Sequence, residues 1–137
     1  MAHPHPSVEF WDRLTRSTAA FEIAIDDVIV FRDPLFAVLE FCIEIDGWIR
    51  QPYGTDLAFS PIDGPDNLFW FKYASNGEYL FLLDGDPAAR VRERELASAT
   101  ADLLRRAPDL ASEAGLIWHQ LRSEALERGV AGDRHTE

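Results

Sequence analysis

The strongest constraint on this chain lies between Leu68 and Leu83. Two runs, Leu68 to Tyr73 (LFWFKY) and Glu78 to Leu83 (EYLFLL), flank Ser75-Asn76-Gly77. A two-residue type I′ turn needs φ > 0 at both central positions, and Asn-Gly meets that demand at least cost. The flanking runs are aromatic-rich, as a pleated, half-buried surface favours. Successive strand side chains point to opposite faces, so Phe69, Phe71 and Tyr73 share one face and Trp70 goes to the other with Lys72. The fold must therefore contain an antiparallel sheet with a covered face.

Other elements follow from the same rules. Phe21 to Ile25 alternates, Asp26-Asp27 supplies a turn, and Val28 to Phe31 resumes the strand pattern, giving a second hairpin. Asp33-Pro34 then has the form of a helix start, with Asp as N-cap and Pro at the first helical position. Leu35, Val38, Leu39, Cys42, Ile45 and Ile49 follow at helical spacing, with Glu40, Glu44 and Gly47 on the opposite side. A strand hairpin competes over 35–49, because Glu40 to Asp46 also alternates and Asp46-Gly47 can turn; the start signal and longer period favour the helix. Gln51 to Asn67, with three prolines and two glycines, predicts loop with a short strand at Leu57 to Phe59.

Asp84-Gly85-Asp86-Pro87 ends the second hairpin and opens a helix over Ala88 to Ala107, with Leu96, Ala99, Thr100, Leu103 and Ala107 on one stripe. Pro108 interrupts it. Asp109 to Arg128 resumes with Leu110, Ala114, Ile117 and Leu121, so two antiparallel helices or one kinked helix close the domain. Ser7 to Leu14 predicts a short opening helix capped by Ser7, with Phe10, Trp11 and Leu14 on one face. The expected fold is α+β, an antiparallel sheet built from hairpins and packed on one face by a central helix and two C-terminal helices. At 137 residues this is one domain, with an ordered core over about 7–128 and termini that fray.

Charge narrows the functions open to such a domain. Net charge is −11, and between Glu22 and Asp86 thirteen acids face only Arg32, Arg50 and Lys72, a balance of −10. The rest of the chain is nearly neutral. Nucleic acids and anionic membranes are poor partners for that field, since phosphate binding needs Lys and Arg to displace counterions. A cationic protein is a good one. No apolar run approaches the ~20 residues of a membrane span, and no apolar run behind a basic start marks a secretory signal. The lone Cys42 has no disulfide partner within the chain, which points to a reducing cytoplasm. Abundant Arg and Ala beside a sole lysine, Lys72, fit a high-GC bacterial genome.

Catalytic motifs are absent, and each candidate residue has a structural explanation. Cys42 sits on the apolar stripe with no neighbouring His or Lys to lower its pKa. His3, His5 and His135 lie in the tails, where His3 and His5 lack a third metal ligand. His119 stands alone in the last helix. Asp63/Asp66 and Asp84/Asp86 adjoin Gly and Pro and read as turn chemistry. The glycines are isolated, so no phosphate-binding loop forms. Neither a metal nor a cofactor is expected.

Two groups point outward instead. One is acidic: Asp26, Asp27, Asp33, Glu40, Glu44 and Asp46. The other is aromatic, with Trp48 and Trp70 as anchors, since exposed Trp beside acids is the composition of a binding hot spot. Phe21 to Asp27 (FEIAIDD), an apolar segment from Pro34 to Trp48, the Phe69 to Phe81 hairpin and Arg/Glu/Ala-rich closing helices follow in order. This arrangement, over Phe21 to Ala107, resembles small, acidic, uncharacterised bacterial proteins that include immunity proteins of polymorphic toxin systems. The resemblance implies stoichiometric inhibition of a toxin domain by a negative surface, without catalysis. The expected function is thus non-catalytic binding of a basic protein. The alternative is a small-molecule-binding or enzymatic domain with a pocket between sheet and helices, lined by His119, Asp63 and Asp66. Homodimerisation through a sheet face or the last helix is a third expectation.

Overall fold

The computed structural model describes residues 18–61 and 64–127. Along them run β1 (Ala19–Ile25), β2 (Val28–Phe36), α1 (Val38–Trp48), β3 (Leu57–Phe59), β4 (Phe69–Ser75), β5 (Glu78–Leu83), β6 (Asp86–Arg92), α2 (Glu93–Glu113) and α3 (Trp118–Glu127). The class is α+β. A two-stranded antiparallel sheet, β1-β2, accompanies a four-stranded antiparallel sheet in the order β3-β4-β5-β6. The expected opening helix, Ser7 to Leu14, the chain ends and Asp63 lie outside the described residues.

Three tight turns set the registers. Asn76 (φ 51) and Gly77 (φ 75) join β4 to β5, and Asp84 (φ 52) and Gly85 (φ 84) join β5 to β6. The β1–β2 turn uses Asp26 (φ 53) and Asp27 (φ 65) in the same left-handed region. In β4, Phe69 and Phe71 are buried and Tyr73 lies beside them, while Trp70 and Lys72 face the other way, as alternation requires.

Three boundaries differ from the sequence reading. Asp33 and Pro34 do not start a helix; they belong to β2, at a bulge between the Ala19↔Phe36 and Phe21↔Asp33 pairs. Proline fits there because the bulge leaves its position out of the ladder. Asp33 still accepts a local hydrogen bond, from Leu35 N–H at 2.9 Å, and helix α1 begins at Val38. Second, 86–92 is a strand, not the first turns of a helix. Asp84-Gly85 is itself a hairpin pair, and it sets Ala89 opposite Phe81 and Val91 opposite Tyr79, overriding the helical propensity of Ala and Arg. Third, α2 runs through Pro108 and ends at Ala114. There Gly115 (φ 76) lets Leu116 N–H reach Ala111 O at 2.8 Å and Gly115 N–H reach Ser112 O at 3.0 Å, a Schellman closure.

The core is largely phenylalanine. Phe69 touches the rings of Phe31 and Phe36 from β2, Phe41 from α1, Phe59 from β3 and Phe81 from β5, at centroid separations of 5.1–6.0 Å. Helix α1 thus has the sheets on one side. On its other side Leu39 and Ile43 pack against Ala111 of α2 and Leu121 and Ala125 of α3. A helix covered on both sides has no solvated face, and that fact relocates the predicted acids.

Candidate functional site

Glu40 and Glu44 are each 8% exposed and Asp46 6%. They do not form the solvated acidic face expected from their spacing. Burial of a carboxylate requires compensation, and Asp46 has it: Arg50 Nη1 donates to its Oδ2 at 2.8 Å, and Arg122 Nε donates to both oxygens at 3.0 Å. Arg122 is on α3, so this carboxylate ties the central helix to the last one. Between Glu22 and Asp86 the exposed acids other than Glu22 lie at or beside turns. Asp26 and Asp27 are exposed at the β1–β2 tip, Asp66 before β4, and Asp84 and Asp86 around the β5–β6 turn. Exposed Glu22 and half-buried Glu78 are paired, with Arg32 at 2.9 Å and Arg90 at 3.3 Å.

The β1–β2 tip also carries apolar surface. Val28 is 60% and Ile29 46% exposed directly after the two aspartates. An open groove of about 520 Å³ continues from Ile29 along β2 to Leu68, Leu83 and Asp84. Exposed aliphatic area, with Asp84 and the Glu22-paired Arg32 at its edge, thus occupies the end of the large sheet where β4 begins and β5 finishes.

The opposite end of that sheet, where β5 begins, holds the aromatic residues. Trp48 Nε1 donates to Thr55 O at 2.7 Å, and Tyr79 OH donates to the same carbonyl at 3.2 Å. Their rings meet edge-on at 6.3 Å. Tyr53, Tyr79, Trp48 and Glu93 line a small recess of about 160 Å³. Burial, then the nearby Glu93 carboxylate, pushes the Tyr79 phenol above its usual range. Trp70 is engaged differently: its Nε1 donates to Asp56 Oδ2 at 3.1 Å and Lys72 Nζ stands 5.4 Å from its ring centroid. Asp56 Oδ1 also accepts from Tyr73 N–H at 2.8 Å, which pins the loop before β3 to β4.

A cleft of about 360 Å³ separates β1 from α2, floored by Phe41, Ile45 and Phe71 and bordered by Thr100 and Arg106. His119 and Asp66 are exposed and do not line it, contrary to the alternative expectation for a pocket. Cys42, on α1, is fully buried, and desolvation pushes its thiol up to about 12 despite the opposing charge of Arg106. That places it in the core as a small apolar group. Among the described residues no group of three or more His, Cys, Asp or Glu is placed to hold a metal ion, and no helix is long and apolar enough to cross a membrane.

Three surface features were missed in the sequence. Val28 and Ile29 look like ordinary strand residues until the pairing leaves them outside the core. Glu93 seemed mid-helix, whereas it is the first residue of α2. Tyr53, flanked by Pro52 and Gly54, did carry a signal, since a large aromatic in an irregular loop is not required by the core.

The fold and these surfaces define a small α+β domain of hairpin sheets closed by helices, with its outward-facing features at the two ends of the larger sheet. The chain belongs to the family described as "Domain of unknown function (DUF7878)", whose model matches residues 10–104. That span contains both ends of the sheet but stops short of α3. No curated protein and no solved structure matches the chain.

Proposed function

We propose that this is a non-catalytic protein-binding domain, an immunity-like inhibitor that meets a cationic partner with the β1–β2 tip. One observation carries the proposal: Asp26 and Asp27 both sit in the left-handed region, at φ 53 and 65, beside exposed Val28 and Ile29. Left-handed backbone is disfavoured for L residues by roughly 1–2 kcal/mol, less for Asp than for others. Glycine removes that cost and stands in the other two hairpin turns. Strained positions cluster where a surface has work besides folding. Acids around an aliphatic centre steer a basic partner and then bury area against it. The same charge argues against nucleic acid or anionic membrane as the partner. A reducing cytoplasm is the setting that a single buried, unpaired cysteine favours.

The test is kinetic. The association rate with the protein captured at low salt, or with a neighbouring toxin-like gene product, is measured at low and high ionic strength, for the wild type and for Asp26→Asn/Asp27→Asn. A steep fall with salt that the variant flattens is expected. A salt-independent rate sinks the electrostatic proposal, and failure to bind any basic protein sinks the inhibitor. If the tip binds a second copy instead, sedimentation registers a dimer that dissociates on substituting Val28→Ser.

The cleft between β1 and α2 supports a second reading, a small-molecule site, because its volume reaches the lower end of ligand pockets and its floor is apolar. Ala99→Phe narrows the cleft without touching the tip. Loss of ligand-induced thermal stabilisation in that variant, with protein association intact, favours this reading; unchanged stabilisation removes it.

A further inference from the structure

The recess at the aromatic end of the sheet has a chemistry that neither reading above uses. At about 160 Å³ it is too small for a metabolite of ordinary size, since such pockets run from roughly 300 to 1,000 Å³. It suits the head of one side chain. Its walls are fixed in place. Trp48 and Tyr79 both donate to Thr55 O and stand at 74° to each other; half-buried Trp48 forms a wall, and Tyr79, 1% exposed, backs the recess. Tyr73 braces Tyr79 at 5.3 Å and Tyr53 at 5.8 Å, both edge-on. Tyr53 itself is 68% exposed and forms the open rim.

Glu93 completes the recess. Its backbone N–H donates to Gly77 O at 2.7 Å, which fixes the start of α2 against the β4–β5 turn. The helix N-terminus tolerates its negative charge. Among the described residues no Lys or Arg forms a salt bridge with Glu93, although Arg92 pairs with Glu95 close by. The faces of aromatic rings are electron-rich and attract cations, most strongly at Trp. Elsewhere in this same molecule Lys72 already stands over Trp70. A half-buried carboxylate with perpendicular aromatic walls therefore presents negative potential from several sides to one small volume.

We propose that this recess receives the cationic head of a single side chain, an arginine guanidinium or lysine ammonium, presented by a partner protein. The head sits against Trp48, with Tyr79 behind it, Tyr53 covers its stem, and Glu93 neutralises its charge. The carrier's being a protein rests on the binding function proposed above; the chemistry of the recess does not. The β1–β2 tip lies at the other end of the sheet, so the two surfaces are separable by mutation.

The full chain is titrated with a capped, otherwise neutral peptide bearing one arginine, following the Trp48 indole N–H resonance by NMR, with Trp70 as internal reference. Saturable movement of Trp48 but not Trp70 is expected. A citrulline peptide, the same shape without the charge, is expected to bind at least about fivefold more weakly. Glu93→Gln and Tyr53→Ala are each expected to weaken the arginine peptide by a similar factor while the remaining spectrum stays native. Equal binding of citrulline, indifference to Glu93→Gln, or no movement of Trp48 at millimolar peptide overturns the proposal. Methylguanidinium binding as tightly as the peptide overturns the protein-borne side chain, since the stem then contributes nothing. Asp26→Asn/Asp27→Asn leaves this titration unchanged, so failure of the tip as a partner surface and failure of the recess are read separately.

Discussion

Asp46 makes a sharp test, because spacing suggested a partner-facing acid and the fold uses it as a clamp. Replace it with Asn, which keeps its shape and removes its charge. Two charge-assisted contacts are lost, one to Arg50 and one to Arg122. Buried, each such bond is worth roughly 1.5–3 kcal/mol. The guanidinium side chains are 37% and 45% exposed, so solvent screens both and rehydrates them once released. The Arg50 contact is an i,i+4 pair on one helix turn and deserves only about 0.3–0.5 kcal/mol. Arg122 is 76 positions away and bonds both carboxylate oxygens, so about 1–1.5 kcal/mol belongs to it after discounting. Asp46→Asn should then cost about 1.3–2 kcal/mol, lowering the urea midpoint by about 1 M with an unchanged slope. A double-mutant cycle separates the arms: coupling of Asp46 to Arg122 should be at least about twice its coupling to Arg50. A cost below about 0.5 kcal/mol, or the larger coupling with Arg50, refutes the view that this carboxylate joins α1 to α3.

Three further outcomes follow from local geometry and ionisation. Gly77→Ala should cost about 1–2 kcal/mol in equilibrium unfolding, because φ 75 is strained for Ala and its Cβ would meet Tyr53 Oη at 3.4 Å. Gly85→Ala, at φ 84 with open space around it, should cost less; equal costs would mean that the Tyr53 contact is irrelevant. Asp27→Gly should raise stability by about 0.5 kcal/mol by relieving left-handed strain while slowing association with a basic protein, and a loss of stability would remove the strain argument. Cys42 titrates near 9.0 in its ordinary state but near 12 in the fold. Above pH 9 the unfolded chain releases this proton first, so stability should fall with rising pH, by up to about 1.4 kcal/mol per unit, until about pH 12. Cys42→Ala should have a shallower slope between pH 9 and 10.5, and an equal slope would locate the alkaline loss in other groups such as Tyr79.

What the sequence disclosed and what it hid divide along a physical line. The β1–β2 and β4–β5 hairpins, the helix ending at Trp48 and the short strand Leu57–Phe59 are written in neighbouring residues, as turn chemistry and periodicity. The strand Asp86–Arg92 was hidden because its residues favour helix locally, although Asp84-Gly85 is the same kind of turn as Asn76-Gly77; pairing with β5 decided the outcome. The burial of Glu40, Glu44 and Asp46 was hidden for another reason. Helical spacing marks which residues share a side, but not whether a second layer covers it. Here every residue from Val38 to Gly47 is buried, the three acids included. Among the site residues, Trp48 does face a recess, whereas Trp70 is held by Asp56 and Lys72.

That redistribution changes the electrostatic case for binding. Much of the negative block between Glu22 and Asp86 is consumed internally: Asp46 by two arginines, Glu22 and Glu78 by one each, and Asp56 by hydrogen bonds to β4. Charge that satisfies the fold exerts little field outside it. Of the rest, Asp26 and Asp27 are exposed beside Val28 and Ile29, and Asp84 shares the groove that Ile29 lines. Glu93 stands apart at the other end, without a salt-bridge partner among the described residues and beside rings that also favour a cation. The two ends should answer salt differently. Attraction to the open, multiply charged tip is screened within roughly 8 Å at physiological ionic strength. A cation seated against Trp48 and Tyr79 excludes that solvent and keeps most of its attraction. A partner using both should lose association rate with salt while its dissociation rate changes little, and each loss should follow its own set of substitutions.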